Sequence, residues 1–359
     1  MLVPAHHSFG FMLDVADWAV ANRESLWLVW PILVVFLAGL QVWWLLRADK
    51  NLLTKKVWWL IAIVELVACL GYPFISDDIF SYLYSGKMVV DYKVNPYVVM
   101  PKEFFGKDQW LFFVKNVDNV YYKLHNIPIT YYYGPVFLGY TSLFVKIVGG
   151  GKFLGLFFGW KLLNWWWFLL TGWLLMKIVE KKNTVLAIWF FNPLLQFELL
   201  VNNHNDLLMI CVFLMTFIVS QKNRLWTGVL LGLSVLIKFV TVLGVPLYFL
   251  NEKWRRQGFK LMGFAILLLN AVKPLHLWYY SWIYLFFPIG GLKKSSWAII
   301  FLGQMLMMLN YSGYIKYGRW TGAPFLPSME TVRWILLVLV IFWEYKRFLK
   351  INLLKYKYF

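Results

Sequence analysis

Apolar runs long enough to cross a bilayer alternate with short polar loops along most of this chain. Runs of about 20 apolar residues read as spanning helices. Such segments fall at about 26–46, 57–75, 184–200, 207–220, 258–273, 276–290, 297–315 and 331–346. Two more, at about 135–149 and 153–178, flank Gly149-Gly150-Gly151-Lys152. Residues 1–25 are weakly apolar and read as an interfacial helix. The pattern breaks once at length, over 79–133, which is rich in Tyr and Phe. It reads as a long loop with short amphipathic helices, and loops of that length inside a membrane protein usually carry function.

Basic loops orient the segments. Arg47–Lys56 carries four basic residues, so it is placed in the cytoplasm and the next segment delivers Asp77 and Asp78 to the outer face. Lys177, Lys181 and Lys182 should be cytoplasmic too. The 134–178 stretch must then cross an odd number of times, leaving one of its segments re-entrant or interfacial. Residues 225–250 have basic loops on both sides, at Lys222/Arg224 and Lys253/Arg255/Arg256. They enter and leave by one face, as a helical hairpin with Lys238 at its tip. The expected fold is an all-α polytopic membrane domain over 1–359, with about 11 crossings, the N-terminus outside and the basic tail 344–359 in the cytoplasm.

Composition agrees. The chain of 359 residues is 61% hydrophobic with a mean hydropathy of +0.62, and only 14% of it is charged, against about 25% in soluble domains. The net charge of +18 lies mainly in short loops and the tail, which suits anionic lipid headgroups and not nucleic acid. The start, MLVPAHHSFGF, has no basic region followed by an apolar run, so no cleaved signal peptide is expected. Cys69 and Cys211 both sit in apolar stretches, which argues against a disulfide framework or a metal cluster. Neither a cofactor nor a metal is expected; the lone His of 203–206 has no ligand partner at metal-binding spacing.

Three polar groups reach the outer face in this topology: Asp77/Asp78, His204-Asn205-Asp206, and Lys238. Each has a plain reading. Ser76 or Asp77 can cap a helix over 78–90, Asn205 and Asp206 can cap one from Leu207, and Lys238 can snorkel to headgroups. Glu198 can pair with a neighbouring cation, Tyr131–Tyr133 can be interfacial packing, and Trp165–Trp167 can face lipid. Taken together, a carboxylate and a cation at membrane depth suit a different task. A sugar carried on a lipid phosphate needs a base for the acceptor hydroxyl and a cation for the departing phosphate.

The motifs Ser76-Asp77-Asp78-Ile79-Phe80-Ser81-Tyr82 with Gly86, Asn95-Pro96-Tyr97, Tyr133-Gly134-Pro135, Phe191-Asn192-Pro193, His204-Asn205-Asp206 and Ser234–Phe239 occur in that order. In them the chain resembles GT-C class membrane glycosyltransferases, close to the bacterial polyprenyl-phosphate-mannose-dependent mannosyltransferases. The resemblance implies that a hexose, mannose or glucose, passes with inversion from a polyprenyl-phosphate donor to a glycan or glycolipid acceptor on the outer face. It puts the catalytic Asp in the loop 76–134. The family spacing of an Asp four residues before a Tyr favours Asp78 over Asp77 as base. Lys238 is then assigned to the donor phosphate, and His204, Asn205, Asp206, Tyr82 and Tyr133 to substrate binding. Two apolar segments precede the Asp, where the simplest members have one. A lipid-linked sugar flippase or transporter is the competing reading, but no internal repeat of the transporter kind is visible. A non-catalytic subunit of an envelope polysaccharide assembly is the third.

Overall fold

In the computed structural model of the protein, the described residues are 21–47, 54–73, 75–76, 78–104, 107–108, 110, 130–179, 181–220, 222–272, 277–317 and 329–356, with isolated positions before 21. Asp77, most of the helix expected over 1–25, and residues 111–129 of the long loop lie outside them. All regular structure among the described residues is helical.

α1 (Arg23–Leu46) contains Pro31 and continues through it, as membrane helices can. Its Leu28, Ile32 and Phe36 are exposed, the disposition expected of a surface that faces lipid. α2 (Lys55–Leu70) starts on Thr54, whose hydroxyl accepts the Val57 N–H at 3.3 Å. α3 (Asp78–Val90) fills the helix expected behind Ser76, and the Ser76 hydroxyl accepts the Asp78 N–H at 3.3 Å. α3 does not lie on the surface as an amphipathic loop helix. Tyr82, Leu83, Tyr84 and Met88 are buried, and so is Lys87, held by Asp108 at 2.8 Å and Asp91 at 3.2 Å. A buried ammonium needs such company.

α4 (Pro135–Val148) and α5 (Phe153–Ile178) follow. At 14 residues α4 is about 21 Å long, short of the roughly 30 Å of a bilayer core. α5 spans. Three stretches are long and apolar enough to cross a membrane: Arg23–Leu46, Phe153–Ile178 and Lys294–Tyr317. The last comprises α10 (Lys294–Leu309) and α11 (Tyr311–Tyr317). The bent pair Pro193–Val201 and Asp206–Val219 has the length and apolar character for a fourth only when its two halves are counted together.

Several segments read as single spans are broken, and the breaks place the polar residues. Over 184–200 the chain forms π-helical turns at Leu186–Phe190 and Gln196–Val201 on either side of the short helix Pro193–Leu195. Pro193 withholds an N–H, and the Asn192 side chain caps instead, accepting from Leu194 N at 3.1 Å and Leu195 N at 3.3 Å. Asn203 then adopts a left-handed conformation (φ 59°), and the chain turns by 110° into α6 (Asp206–Val219). Wide turns of this kind are often found at functional sites.

α7 (Arg224–Ile237) ends at Lys238, which is extended, and a 3-10 helix covers Phe239–Phe249. α8 (Glu252–Val272) precedes a 3-10 turn at Leu277–Trp282 and α9 (Ile283–Gly290), so the expected span at 276–290 is two short pieces. α12 (Met329–Tyr356) carries the last apolar run and the basic tail as far as Tyr356 in one helix.

Two loops close over α3. The Asn95 carboxamide accepts the Tyr97 N–H at 3.0 Å, which sets the turn at Asn95-Pro96-Tyr97. That turn then holds the Tyr131–Tyr133 strip, with Tyr131 N–H donating to Pro96 O at 2.8 Å and the Tyr97 hydroxyl to Tyr133 O at 2.8 Å. Gly134 presses against the end of α7. Its N–H donates to Ile237 O at 3.3 Å, and a Cβ there would stand 1.8 Å from Leu236 O. Gly134→Ala must push the Tyr133 segment off α7, at a cost of about 1–3 kcal/mol. A lower thermal midpoint in detergent is expected for Gly134→Ala, while Gly139→Ala, whose Cβ meets nothing within 4 Å, stays at wild-type stability. Equal midpoints for the two variants would show that the packing is not needed.

Candidate active site

Asp78 opens α3 at the point where the α2 connection, the 131–133 strip and the 202–206 turn converge. Three donors meet one of its oxygens. Oδ2 accepts from the Tyr82 hydroxyl at 2.8 Å, the Tyr133 hydroxyl at 3.0 Å and His204 Nδ1 at 3.0 Å. Oδ1 has no partner among the described residues, and 16% of the side chain remains exposed. Burial by itself pushes the Asp78 carboxyl up, but the hydrogen bond and charge of His204, with the two tyrosine hydroxyls, hold it down to about 2. Asp78 is therefore a carboxylate at any working pH, with one oxygen saturated and one open.

His204 is itself fully enclosed. Its ring stacks on Trp278 with centroids 4.9 Å apart, and its Nε2 lies 3.1 Å from Glu198 Oε2 but off the direction of a good hydrogen bond. An ionised carboxylate can only accept, so the proton facing Asp78 belongs to Nδ1. Glu198 also accepts from Asn202 Nδ2 at 3.1 Å and from the Tyr311 hydroxyl.

The Lys238 ammonium lies 2.8 Å from Asp206 Oδ2, 2.9 Å from Oδ1 and 3.3 Å from Asn205 Oδ1. Trp282 Nε1 donates to Asp206 Oδ1 as well, and the rings of Tyr279 and Trp282 stand 5.2 and 5.6 Å from the ammonium. Asp206 is inaccessible whereas the Lys238 side chain keeps 15% of its surface exposed, so the cation is the reachable member of the pair.

Asn205 joins the two clusters. Its N–H donates to the Tyr82 hydroxyl at 3.4 Å, and its side-chain oxygen faces Lys238. An ammonium can only donate, which fixes the amide with oxygen toward Lys238. Nδ2 is then left buried without an acceptor among the described residues. The side chains of 204–206 do not cap α6: no side-chain cap bond forms at its start. Here the plain capping reading is overturned, because Asp206 and Asn205 turn to the cation and His204 to Asp78. The strip 131–133 is divided: Tyr131 is packed inside, Tyr132 is exposed, and Tyr133 reaches Asp78. Among the described residues no group of three His, Cys, Asp or Glu side chains could hold a metal ion.

Residues 6–252, which include every one of these sequence-derived positions, match the MptA_B family, described as Alpha-(1->6)-mannopyranosyltransferase, N-terminal domain. The chain belongs to this mannosyltransferase family. No curated protein and no solved structure matches it significantly.

The candidate site draws on residues that the sequence reading did not pick out. Lys161 and Asn164, one helical turn apart on α5, hold the 201–203 turn: Lys161 Nζ donates to Val201 O at 3.0 Å and Asn164 Nδ2 to Asn203 Oδ1 at 2.9 Å. The signal of Lys161 was legible, since an ionisable residue inside an apolar segment is expensive and marks a task. Trp278, Tyr279 and Trp282 carried no such signal in a chain this aromatic. Trp165 and Trp167 prove to be packing residues, their indole N–H groups donating to Ala62 O at 3.0 Å and the Tyr140 hydroxyl at 2.7 Å, while Trp166 is half exposed.

Breaking the Lys238–Asp206 pair on one side leaves a buried charge alone, whereas removing both charges does not. Lys238→Met is expected to destabilise by about 3–5 kcal/mol, and Lys238→Met with Asp206→Asn to recover most of that loss. Thermal midpoints of the single and double variants in one detergent check it. A double variant no more stable than the single would mean that the pair is not the main support of this corner.

Proposed function

We propose that this mannosyltransferase moves a mannosyl group from a polyprenyl-phosphate-linked donor to a hydroxyl of a glycan or glycolipid acceptor, with inversion at the anomeric carbon. The acceptor oxygen forms the new bond to C1 as the bond from C1 to the phosphate oxygen breaks. The acceptor proton goes to Oδ1 of Asp78, and the phosphate leaves on its lipid. The observation that carries this reading is the Asp78 carboxylate, pinned through Oδ2 and open at Oδ1. Because it is held ionised and weakly basic, it takes the proton late, once bonding to C1 has acidified the hydroxyl. Lys238 is the accessible cation for the departing phosphate. The buried Nδ2 of Asn205, lacking an acceptor, is a donor for an oxygen of the sugar or phosphate.

The reading keeps the topology drawn from the basic loops: about 11 crossings, with the loop 76–134 and the reaction on the outer face and the C-terminus in the cytoplasm. Asp77 is the alternative base if the register is displaced by one. Supporting the choice of Asp78 are its two tyrosines and its histidine.

With purified protein in lipid nanodiscs and radiolabelled polyprenyl-phosphate-mannose, Asp78→Asn is expected to cut transfer by about 10²- to 10⁴-fold while donor still binds. A dead Asp77→Asn beside an active Asp78→Asn would reassign the base. Donor that binds wild type but is never consumed in the presence of a membrane-extract acceptor would overturn the transferase reading of the site.

The same assignment predicts a pH profile. A carboxyl whose folded value is depressed gives stability that is complete above its unfolded value of about 4 and lost as the pH falls through its folded one. Asp78, at about 2, therefore contributes no acid limb to kcat/KM between pH 5 and 8. Tyr133→Phe removes a hydrogen bond to the carboxylate and moves its titration upward. A wild-type acid limb inside that range which shifts in Tyr133→Phe would show that Asp78 is not held ionised.

A further inference from the structure

The proposed transfer gives no task to Glu198, a fully buried carboxylate in the π-helical turn Gln196–Val201. An acidic side chain this deep needs donors and a countercharge. Its donors are Asn202 Nδ2 at 3.1 Å and the Tyr311 hydroxyl. Among the described residues that touch it, His204 is the one able to carry a positive charge, with Nε2 at 3.1 Å. The two residues are tied a second time, because Glu198 O accepts the His204 N–H at 3.1 Å. Asn203 between them is left-handed, which allows this reversal. The turn therefore folds His204 back over Glu198 and leaves the other edge of the ring to Asp78.

The charge of the ring follows from what faces it. Nδ1 is 3.0 Å from Asp78 Oδ2 and Nε2 is 3.1 Å from Glu198 Oε2, and a carboxylate can only accept. A neutral imidazole has one N–H, so it would turn a lone pair on one of these oxygens at close range. Two protons remove that clash. The Nε2 contact is ionic and not a linear hydrogen bond, so it governs the charge of the ring more than its angle. Trp278, stacked on the ring at 4.9 Å, adds an aromatic face that favours a cation. Around this pair the Tyr82 and Tyr133 hydroxyls reach Asp78, and the Tyr311 hydroxyl reaches Glu198. Asp206 and Lys238, on the far side of Asn205, neutralise each other.

We propose that Glu198 is a positioning residue: it holds His204 as an imidazolium whose Nδ1–H stays aimed at Asp78 Oδ2, which leaves Oδ1 for the acceptor. This rests on the reading of Asp78 as the base. Without the charge at Glu198 the ring can be neutral and can place its one proton on either nitrogen. A proton on Nε2 alone abandons Asp78. Solid-state NMR of the histidine-15N-labelled full chain in lipid bilayers reads the ring directly, and transfer from polyprenyl-phosphate-mannose is assayed over about pH 6 to 9. The His204 signal is identified by its loss in His204→Gln. In the wild type both ring nitrogens are expected to stay protonated across that range. In Glu198→Gln, His204 is expected to titrate near the ordinary imidazole value of about 6.5. The same variant loses about 10- to 100-fold in kcat with the donor KM within about twofold, as when a group acts mainly in the transition state. Its kcat/KM gains a basic limb in the range where His204 titrates, which the wild type lacks. Glu198→Asp, which keeps the charge, restores the doubly protonated ring. A singly protonated His204 in the wild type at neutral pH overturns the proposal whether or not any variant folds. So does a Glu198→Gln enzyme with the wild-type rate at every pH. A wild type with the doubly protonated ring that consumes no donor overturns the base reading of Asp78 and leaves the Glu198–His204 pairing standing.

Discussion

Among the acidic side chains carried into the apolar bundle, Asp78, Glu198 and Asp206 surround the candidate site, and the fold there depends on how each is paired. A bare carboxylate in such surroundings costs several kcal/mol or more. His204 stands between Asp78 and Glu198, one ring nitrogen toward each, while Lys238 covers Asp206. One cation therefore serves two anions in the first cluster and one in the second. Both cations belong to segments that leave regular helix, the 202–205 turn and the residue after α7.

This explains why so much irregular structure surrounds the site. The π turns, the Asn192 cap, the left-handed Asn203 and the 110° bend together place 204–206 opposite α3. Lys161 and Asn164 hold that turn from α5, accepting the cost of polar side chains in a spanning helix. The same logic applies to Gly134, where contact with α7 leaves no room for a side chain. Tyr133 thereby stays within reach of Asp78 while Lys238 stays in the neighbouring cluster.

Asn205 couples the halves. Its backbone contacts the Asp78 side through Tyr82, and its side chain contacts Lys238. Asp78 and Lys238, the proton acceptor and the phosphate's partner in the proposed transfer, are thus linked through one residue of a short turn.

Much was legible in the sequence. Apolar runs and basic loops indicated a helical membrane protein, because a bilayer leaves backbone polar groups few alternatives to helix. The helix over 78–90 behind Ser76 could be read from its cap, and the turn at Asn95-Pro96-Tyr97 from its residues. Asp77/Asp78, His204–Asp206 and Lys238 stood out as polar groups set in apolar surroundings, while Tyr82 and Tyr133 were marked only by the resemblance to the family's motifs. Tertiary structure decided what those residues touch. Hydropathy reports that a segment is apolar but not that it breaks, so the π turns at 186–201 and the 3-10 piece at 277–282 went unseen. Nor can spacing tell a helix cap from a cation's partner, since Asn and Asp serve both. That choice rests on whether Lys238 arrives from α7, and only the folded chain brings it there.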